Sequence, residues 1–187
     1  TPNQKLQETA KEIFIKNRFI MIRPHDTGFV YNEKDIIKMK KSISLSVKYN
    51  PKGVVFGGLK KNHRIDFKQN EELISHAKNL NLECTFHRAF DSCIDPIQSF
   101  EEIKALGFDW LLTSGQQINA EIGIPLLKKL NNLKQDKIKI LAGGGINSNN
   151  CKKFKNLELD GIHFSIDKNR KVEEQKIENI LAQLSVN

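Results

Sequence analysis

No stretch of this sequence approaches the eighteen or so consecutive apolar residues that a helix needs to cross a bilayer, so a membrane-bound role is not expected. It does not open with the charged-then-apolar leader of a secreted protein. It starts at Thr1 rather than Met, so residues upstream are expected. Cysteine is scarce: Cys84, Cys93 and Cys151 are an odd number with no CxxC pair. That argues against a disulfide framework and for a reducing, cytoplasmic setting. Arginine is scarcer than the charge suggests. Of 30 basic residues only Arg18, Arg23, Arg64, Arg88 and Arg170 are arginine, so the net charge of +8 rests on lysines scattered among many Asn and Ile. The densest lysines, Lys38, Lys40 and Lys41, and Lys152, Lys153 and Lys155, fall in segments that read as amphipathic helices. A solvated lysine face is the default there, and no nucleic-acid partner is expected.

What is present fits one domain over residues 1–187, with 39% hydrophobic residues. Short apolar runs recur: 19–23, 53–57, 84–87, 110–113, 138–142 and 161–165, spaced by roughly 22 to 34 residues. That spacing holds one strand and one crossover helix. The helices are marked by their ends. Asp95-Pro96 supplies an N-cap and a first-turn proline, and Gly107 a stop. Asn32 caps a helix to about Tyr49. Another opens at Thr1-Pro2 with the face Leu6, Ala10, Ile13 and Phe14. Pro125 predicts a turn or a late helix start within 119–134, and a last helix covers about Val172 to Leu184.

Alternating strands and helices read as α/β with a parallel sheet. Parity favours a closed barrel over a doubly wound sheet. Ile20/Ile22, Val54/Phe56, Cys84/Phe86, Trp110/Leu112 and Ile162/Phe164 are bulky and suit the helix-covered side. Arg23, Gly57, His87, Thr113, His163 and Ser165 suit a polar mouth. Six strands are visible where a TIM (β/α)8 barrel has eight, so the expected fold is an incomplete TIM-like barrel lacking its first two βα units. An open six-stranded sheet, or edges closed by a second copy of the chain in a homo-oligomer, are the alternatives.

Polar residues gather at strand ends. His87, Arg88 and Asp91 sit where barrel sites are built: His87 as acid/base or ligand, Arg88 to hold a carboxylate or phosphate, Asp91 to orient either. The structural alternative is an Arg88–Asp91 pair that fixes the loop. Arg23 faces this cluster across the mouth and calls for a carboxylate or an anionic ligand. Gly143, Gly144 and Gly145 follow a strand, with Asn147 or Ser148 placed to cap the next helix. Their amides suit an anion, joined by the hydroxyls of Ser165, Thr113 and Ser114; a tight turn explains the glycines about as well. Metal ligands are thin: Cys84 reads as core, Cys93 can share a soft-metal site with His87, and Cys151 reads as inert. His63 and His76 read as surface residues.

Met21-Ile22-Arg23-Pro24, Gly53-Val54-Val55-Phe56-Gly57, Phe86-His87-Arg88-Ala89-Phe90-Asp91, Leu112-Thr113-Ser114-Gly115 and Gly143-Gly144-Gly145-Ile146, in this order, together resemble the CutC family, named for copper homeostasis. The resemblance covers nearly the whole chain. It implies a cytoplasmic TIM-like barrel, often dimeric, with Cu(I) as the proposed ligand. It also implies that Thr1-Pro2 aligns just after the family's first two strands. Those strands carry the acidic residue and cysteines proposed as copper ligands, so the copper assignment moves onto none of Cys84, Cys93 and Cys151. The rim residues themselves suit an enzyme pocket for a small anionic substrate, phosphorylated or a carboxylate, better than soft Cu(I).

Overall fold

The computed structural model describes residues 1–13, 17–165, 167–168, 171–172 and 174–185. The chain divides into two compact units, Thr1–Trp110 and Leu111–Asn187. The first holds α1 (Gln4–Ile13), β1 (Phe19–Met21), α2 (Glu33–Ser46), β2 (Gly53–Phe56), α3 (Phe67–Lys78), β3 (Glu83–Phe86) and α4 (Pro96–Leu106). It also holds the first residue of β4 (Trp110–Thr113), the rest of which opens the second unit. That unit continues with α5 (Ile124–Leu133), β5 (Lys139–Gly143), α6 (Lys152–Lys155) and β6 (Gly161–His163), then the short pair β7 (Asp167–Lys168) and β8 (Lys171–Val172), and α7 (Glu174–Ser185). Strand order follows chain order within each unit, and β1 to β6 are the parallel strands of a TIM-type α/β fold. The antiparallel β7–β8 pair was not expected from the sequence.

The helix ends behave as their residues dictate. Asn32 and Asp35 form a capping box, each side chain accepting from the other's backbone N–H. Asp95 accepts from the amides of Ile97 and Gln98, Pro96 takes the first turn, and Gly107 closes α4 in the left-handed region at φ +85°. Such a cap contributes about 1 kcal/mol. Of the expected face of α1, Phe14 lies outside the described residues, and Leu6 and Ile13 stay more than half exposed.

The register pairs Ile20 with Val54 and Val54 with Cys84, then Phe56 with Phe86. All these side chains are buried on one face, with the apolar stripes of α2 (Ile36, Met39, Ile43), α3 (Leu73, Ala77) and α4 (Phe100, Ile103) making up the same core. The parity expected for β4 is corrected. Trp110 Nε1 donates to Glu83 Oε2 at 2.9 Å, and its ring meets Phe19 edge-on at 6.4 Å. Trp110 therefore shares the face of Phe19, Gly53 and Glu83, which pair across the strands. In the second unit Leu112 occupies the room beside Gly143, where an added Cβ would lie 2.6 Å from Leu112 Cδ1. Bulky side chains here fill space that neighbouring glycines vacate, so size alone misassigns the face.

One device recurs. Asp109, just ahead of β4, accepts the Cys84 amide at 2.6 Å and pairs with Lys78 at the end of α3. Asp160, just ahead of β6, accepts the Ile140 amide at 2.8 Å and pairs with Lys134 just after α5. Each carboxylate, from the loop ahead of the following strand, thus ties a strand start to the helix before it.

Candidate functional site

Extending the register two steps past β1 and one step past β2 and β3 brings Arg23, Gly57 and His87 to one level, since Ile22 N donates to Val55 O and His87 N to Phe56 O. Gly57 has no side chain to interpose, and an added Cβ would come within 3.0 Å of His87 Nδ1. Arg23 Nη2 donates to the carbonyls of Asp26 at 3.0 Å and Gly28 at 3.3 Å, tying down the loop after β1. Its guanidinium carbon lies 4.8 Å from the centre of the Phe29 ring. That ring lies 5.0 Å from the His87 ring, tilted by 59°. Arg23 and His87, two strands apart, therefore meet the same aromatic side chain. Among the described residues no carboxylate pairs with Arg23, and its Nε is buried without a hydrogen-bond partner.

His87 is 3% exposed. Its Nδ1 accepts the Ala89 amide at 3.2 Å. An amide can only donate, so Nδ1 carries a lone pair and the proton of the neutral ring sits on Nε2. That Nε2 is buried and has no partner. Burial, more than anything else, lowers the imidazole pKa to about 4; a contact with its own backbone opposes the shift and the charge of Arg23 adds to it. His87 is thus uncharged near neutrality. It also caps the 3-10 turn Arg88–Ser92, in which Arg88 Nε donates to Asp91 Oδ2 at 2.7 Å. Arg88 and Asp91 thus pair with each other within this turn.

Three residues near Arg23, namely Phe29, Tyr31 and Asp35, carry no mark in the sequence. Tyr31 is buried, and its hydroxyl lies within reach of the Arg23 charge without completing a hydrogen bond of normal geometry. Burial raises its pKa, with Arg23 opposing and Asp35 reinforcing. The Tyr31 ring also meets His25 at 5.3 Å, and His25 Nε2 lies 3.5 Å from Asp35 Oδ2. Phe29, the hinge of the cluster, comes from the same loop. Only the Arg-Pro-His string marks this loop in the sequence.

The second unit holds the other expected residues. Thr113 is fully buried, and its Oγ1 accepts the Gly115 amide at 2.9 Å; Ser114 Oγ donates to Gln117 O at 2.7 Å. Both hydroxyls build the turn after β4. Gly143 closes β5; Gly144 (φ +119°) accepts the Ala120 amide through its carbonyl, and the Gly145 carbonyl takes the side-chain amides of Asn147 and Asn150. The expectation that Asn147 or Ser148 caps the next helix is corrected: α6 starts at Lys152, behind Cys151, with no side-chain cap. The two asparagine side chains fold back onto the Gly145 carbonyl instead, and Asn147 Oδ1 accepts the Asn149 amide. Ser165 is exposed and makes an interaction of its own.

The donor set does not fit Cu(I). Among the described residues no three His, Cys, Asp or Glu side chains gather as a metal site would need. Cys84, Cys93 and Cys151 are free and buried. Burial pushes the Cys84 thiol up to about 12 and the Cys93 thiol up to about 11, which disfavours the thiolate that soft copper selects. Cys93 Sγ points to the Ala89 carbonyl at 3.8 Å. His63 and His76 bond the Ser92 carbonyl and the Ser44 hydroxyl, respectively.

The model of the CutC family matches residues 1–167. The chain belongs to the CutC family. It is 40% identical over 167 residues to a CutC family protein of Bacteroides fragilis, covering 88% of this chain and 66% of that protein. To one from Pasteurella multocida it is 37% identical over 166 residues, covering 88% and 67%. The chain thus spans about two thirds of the length of these relatives, and slightly less of the first. Among solved structures it is similar to the putative copper homeostasis protein CutC of Streptococcus agalactiae, with a TM-score of 0.80 at 27% identity, over 87% of this chain and 80% of that one. The fold and the family expected from the sequence are those found.

Proposed function

We propose that this CutC-family chain binds a small anionic molecule at Arg23, and that its part in the copper homeostasis for which such proteins are named runs through that ligand. The observation that carries the reading is the Arg23 guanidinium, half-buried, paired with no carboxylate among the described residues, and stacked on the ring that His87 also touches. A partly buried guanidinium is stabilised by an anion. Arg23 also lines a cavity of about 320 Å³ with Lys38 and Lys41, two exposed lysines to which no described carboxylate is paired. Exposed charges attract an anion at long range, and buried donors then select it. Arg88 and Asp91 hold the turn on which His87 sits.

On this proposal pyruvate, a simple monocarboxylate, binds the chain at least tenfold more weakly after Arg23→Met, whereas Arg64→Met, an exposed site bonded to Gln98, leaves binding unchanged. Isothermal titration reads both. Equal affinity in wild type and Arg23→Met contradicts the proposal.

A second reading, Cu(I) as cargo, draws its support from the streptococcal relative, which is named as a copper homeostasis protein. Sub-micromolar, thiolate-dependent Cu(I) uptake by this chain in a competition titration would favour it. We also propose a cytoplasmic setting, supported by the three free cysteines. A second copy of the chain is the proposed partner, supported by β1, which pairs with β2 alone among the described strands.

A further inference from the structure

The buried imidazole of His87 has a property that the anion reading does not use. Its two nitrogens are inequivalent, and the fold decides which one holds the proton. The Ala89 amide occupies the Nδ1 lone pair at 3.2 Å, from within the turn that the Arg88–Asp91 pair closes. Phe29 at 5.0 Å and Phe86 at 6.1 Å flank the ring, and Gly57 packs against Nδ1. Rotating the ring to exchange its nitrogens would break the amide bond and strand a second buried donor. The remaining Nε2–H is a donor buried in protein with no acceptor. Leaving such a group unpaired is costly, and native structures rarely do so without a ligand or water to meet it.

Three consequences follow from that geometry. A metal ion bound at Nε2 would need a lone pair there, hence a proton on Nδ1, and that proton would oppose the Ala89 amide head-on. A general base at this position would have no free lone pair to take a proton. An oxygen acceptor meets both restrictions. Arg23 Nε is the second buried donor without a partner, and it belongs to the only permanent charge in the Arg23–Phe29–His87 group. One positive charge, two single N–H donors and the buried Tyr31 hydroxyl beside Arg23 match one carboxylate, whose two oxygens offer four lone pairs. A phosphate dianion carries more charge and more oxygens than they satisfy.

We infer that His87 is a tautomer-locked, uncharged hydrogen-bond donor to an oxygen of a carboxylate ligand, a specificity-determining residue and neither a copper ligand nor a proton shuttle. This rests on the anion reading for Arg23 and adds the class of ligand. Its low pKa agrees with the uncharged ring.

The test uses the whole chain with pyruvate and inorganic phosphate as separate probes, followed by NMR titration. His87→Phe keeps a ring and loses the donor; His87→Gln keeps an N–H near the Nε2 position. Pyruvate affinity is expected to fall about tenfold in His87→Phe and to recover to within about threefold of wild type in His87→Gln. Pyruvate is expected to bind more tightly than phosphate. In the unmutated chain the ¹⁵N ring shifts of His87 should show a neutral ring protonated at Nε2 at pH 7, and they should not move when Cu(I) is added. This readout needs no variant to fold. A proton on Nδ1, a charged ring, or Cu(I)-induced shifts overturn the inference, as does tighter binding of phosphate. If Arg23→Met weakens pyruvate and His87→Phe does not, the role of His87 fails and the anion reading stands. If pyruvate and phosphate both fail to bind, the anion reading itself fails.

Discussion

Replacing Phe86 by alanine is expected to destabilise the chain by about 3–5 kcal/mol, which for a chain of this size lowers the melting temperature by roughly 10 °C. Phe86 is fully buried and meets Phe108 edge-on at 5.1 Å; Phe108 in turn packs on Phe56 at 5.2 Å. Removing the ring leaves a cavity between β2, β3 and the segment leading into β4, because strands held in register cannot close around it. The same ring lies against His87 and over Gly57, so the loss should also loosen the ligand site at the strand's end. Phe67, 39% exposed at the start of α3, is the comparison: its alanine variant should lose less than about 1 kcal/mol. Thermal unfolding of the two variants checks this. Equal shifts would mean that the aromatic layer is not the core of the first unit.

Acidification should cost the folded chain about 3 kcal/mol through His87 alone as pH falls from 7 to 4. The folded imidazole is held near 4, against 6.5 when unfolded. Between those values the unfolded chain binds a proton that the folded chain refuses, so stability rises with pH across this window. The contribution is full above about 6.5 and is lost on going down to about 4. Its size follows from the gap between the two values. Carboxylates titrate near the lower end, so the informative quantity is the difference between wild type and His87→Gln in urea unfolding at several pH values. The variant should be less sensitive to pH by the stated amount. Identical pH dependence in both would show that the ring charges in the folded state as freely as in solution.

Much of this was legible in the residues. Short apolar runs separated by one crossover's worth of chain place all six parallel strands, because a strand covered on one face by helices has little choice but to be short and apolar. Asn32, Asp95 and Gly107 mark helix ends for local reasons, through side-chain acceptors and a positive φ. Arg23 and His87 were visible as polar residues ending apolar strands. The face of Trp110 was not legible, since its bulk imitates a core residue while its indole N–H bonds Glu83 and its ring meets Phe19. The fold-back of Asn147 and Asn150 onto the Gly145 carbonyl also has no periodic signature. Phe29, Tyr31 and Asp35 come from a loop and from the first turn of α2. Only the fold brings them to Arg23.

The lock on His87 illustrates the same limit from the other side. His-Arg-Ala-Phe-Asp announces chemistry by composition, and the obvious assignment gives the imidazole a proton to move. Its role depends instead on one backbone amide two residues later, which takes the lone pair that such a task requires. Arg88 and Asp91, the most conspicuous charges in the string, pair with each other.

A crystal of this chain soaked in pyruvate addresses the account most directly. The expected result is a carboxylate oxygen within about 3.2 Å of His87 Nε2, with the Arg23 guanidinium on the same carboxylate and Phe29 beside both. Pyruvate seated elsewhere, with His87 Nε2 bonded to a protein carbonyl and Arg23 paired to a carboxylate of the chain, would contradict it.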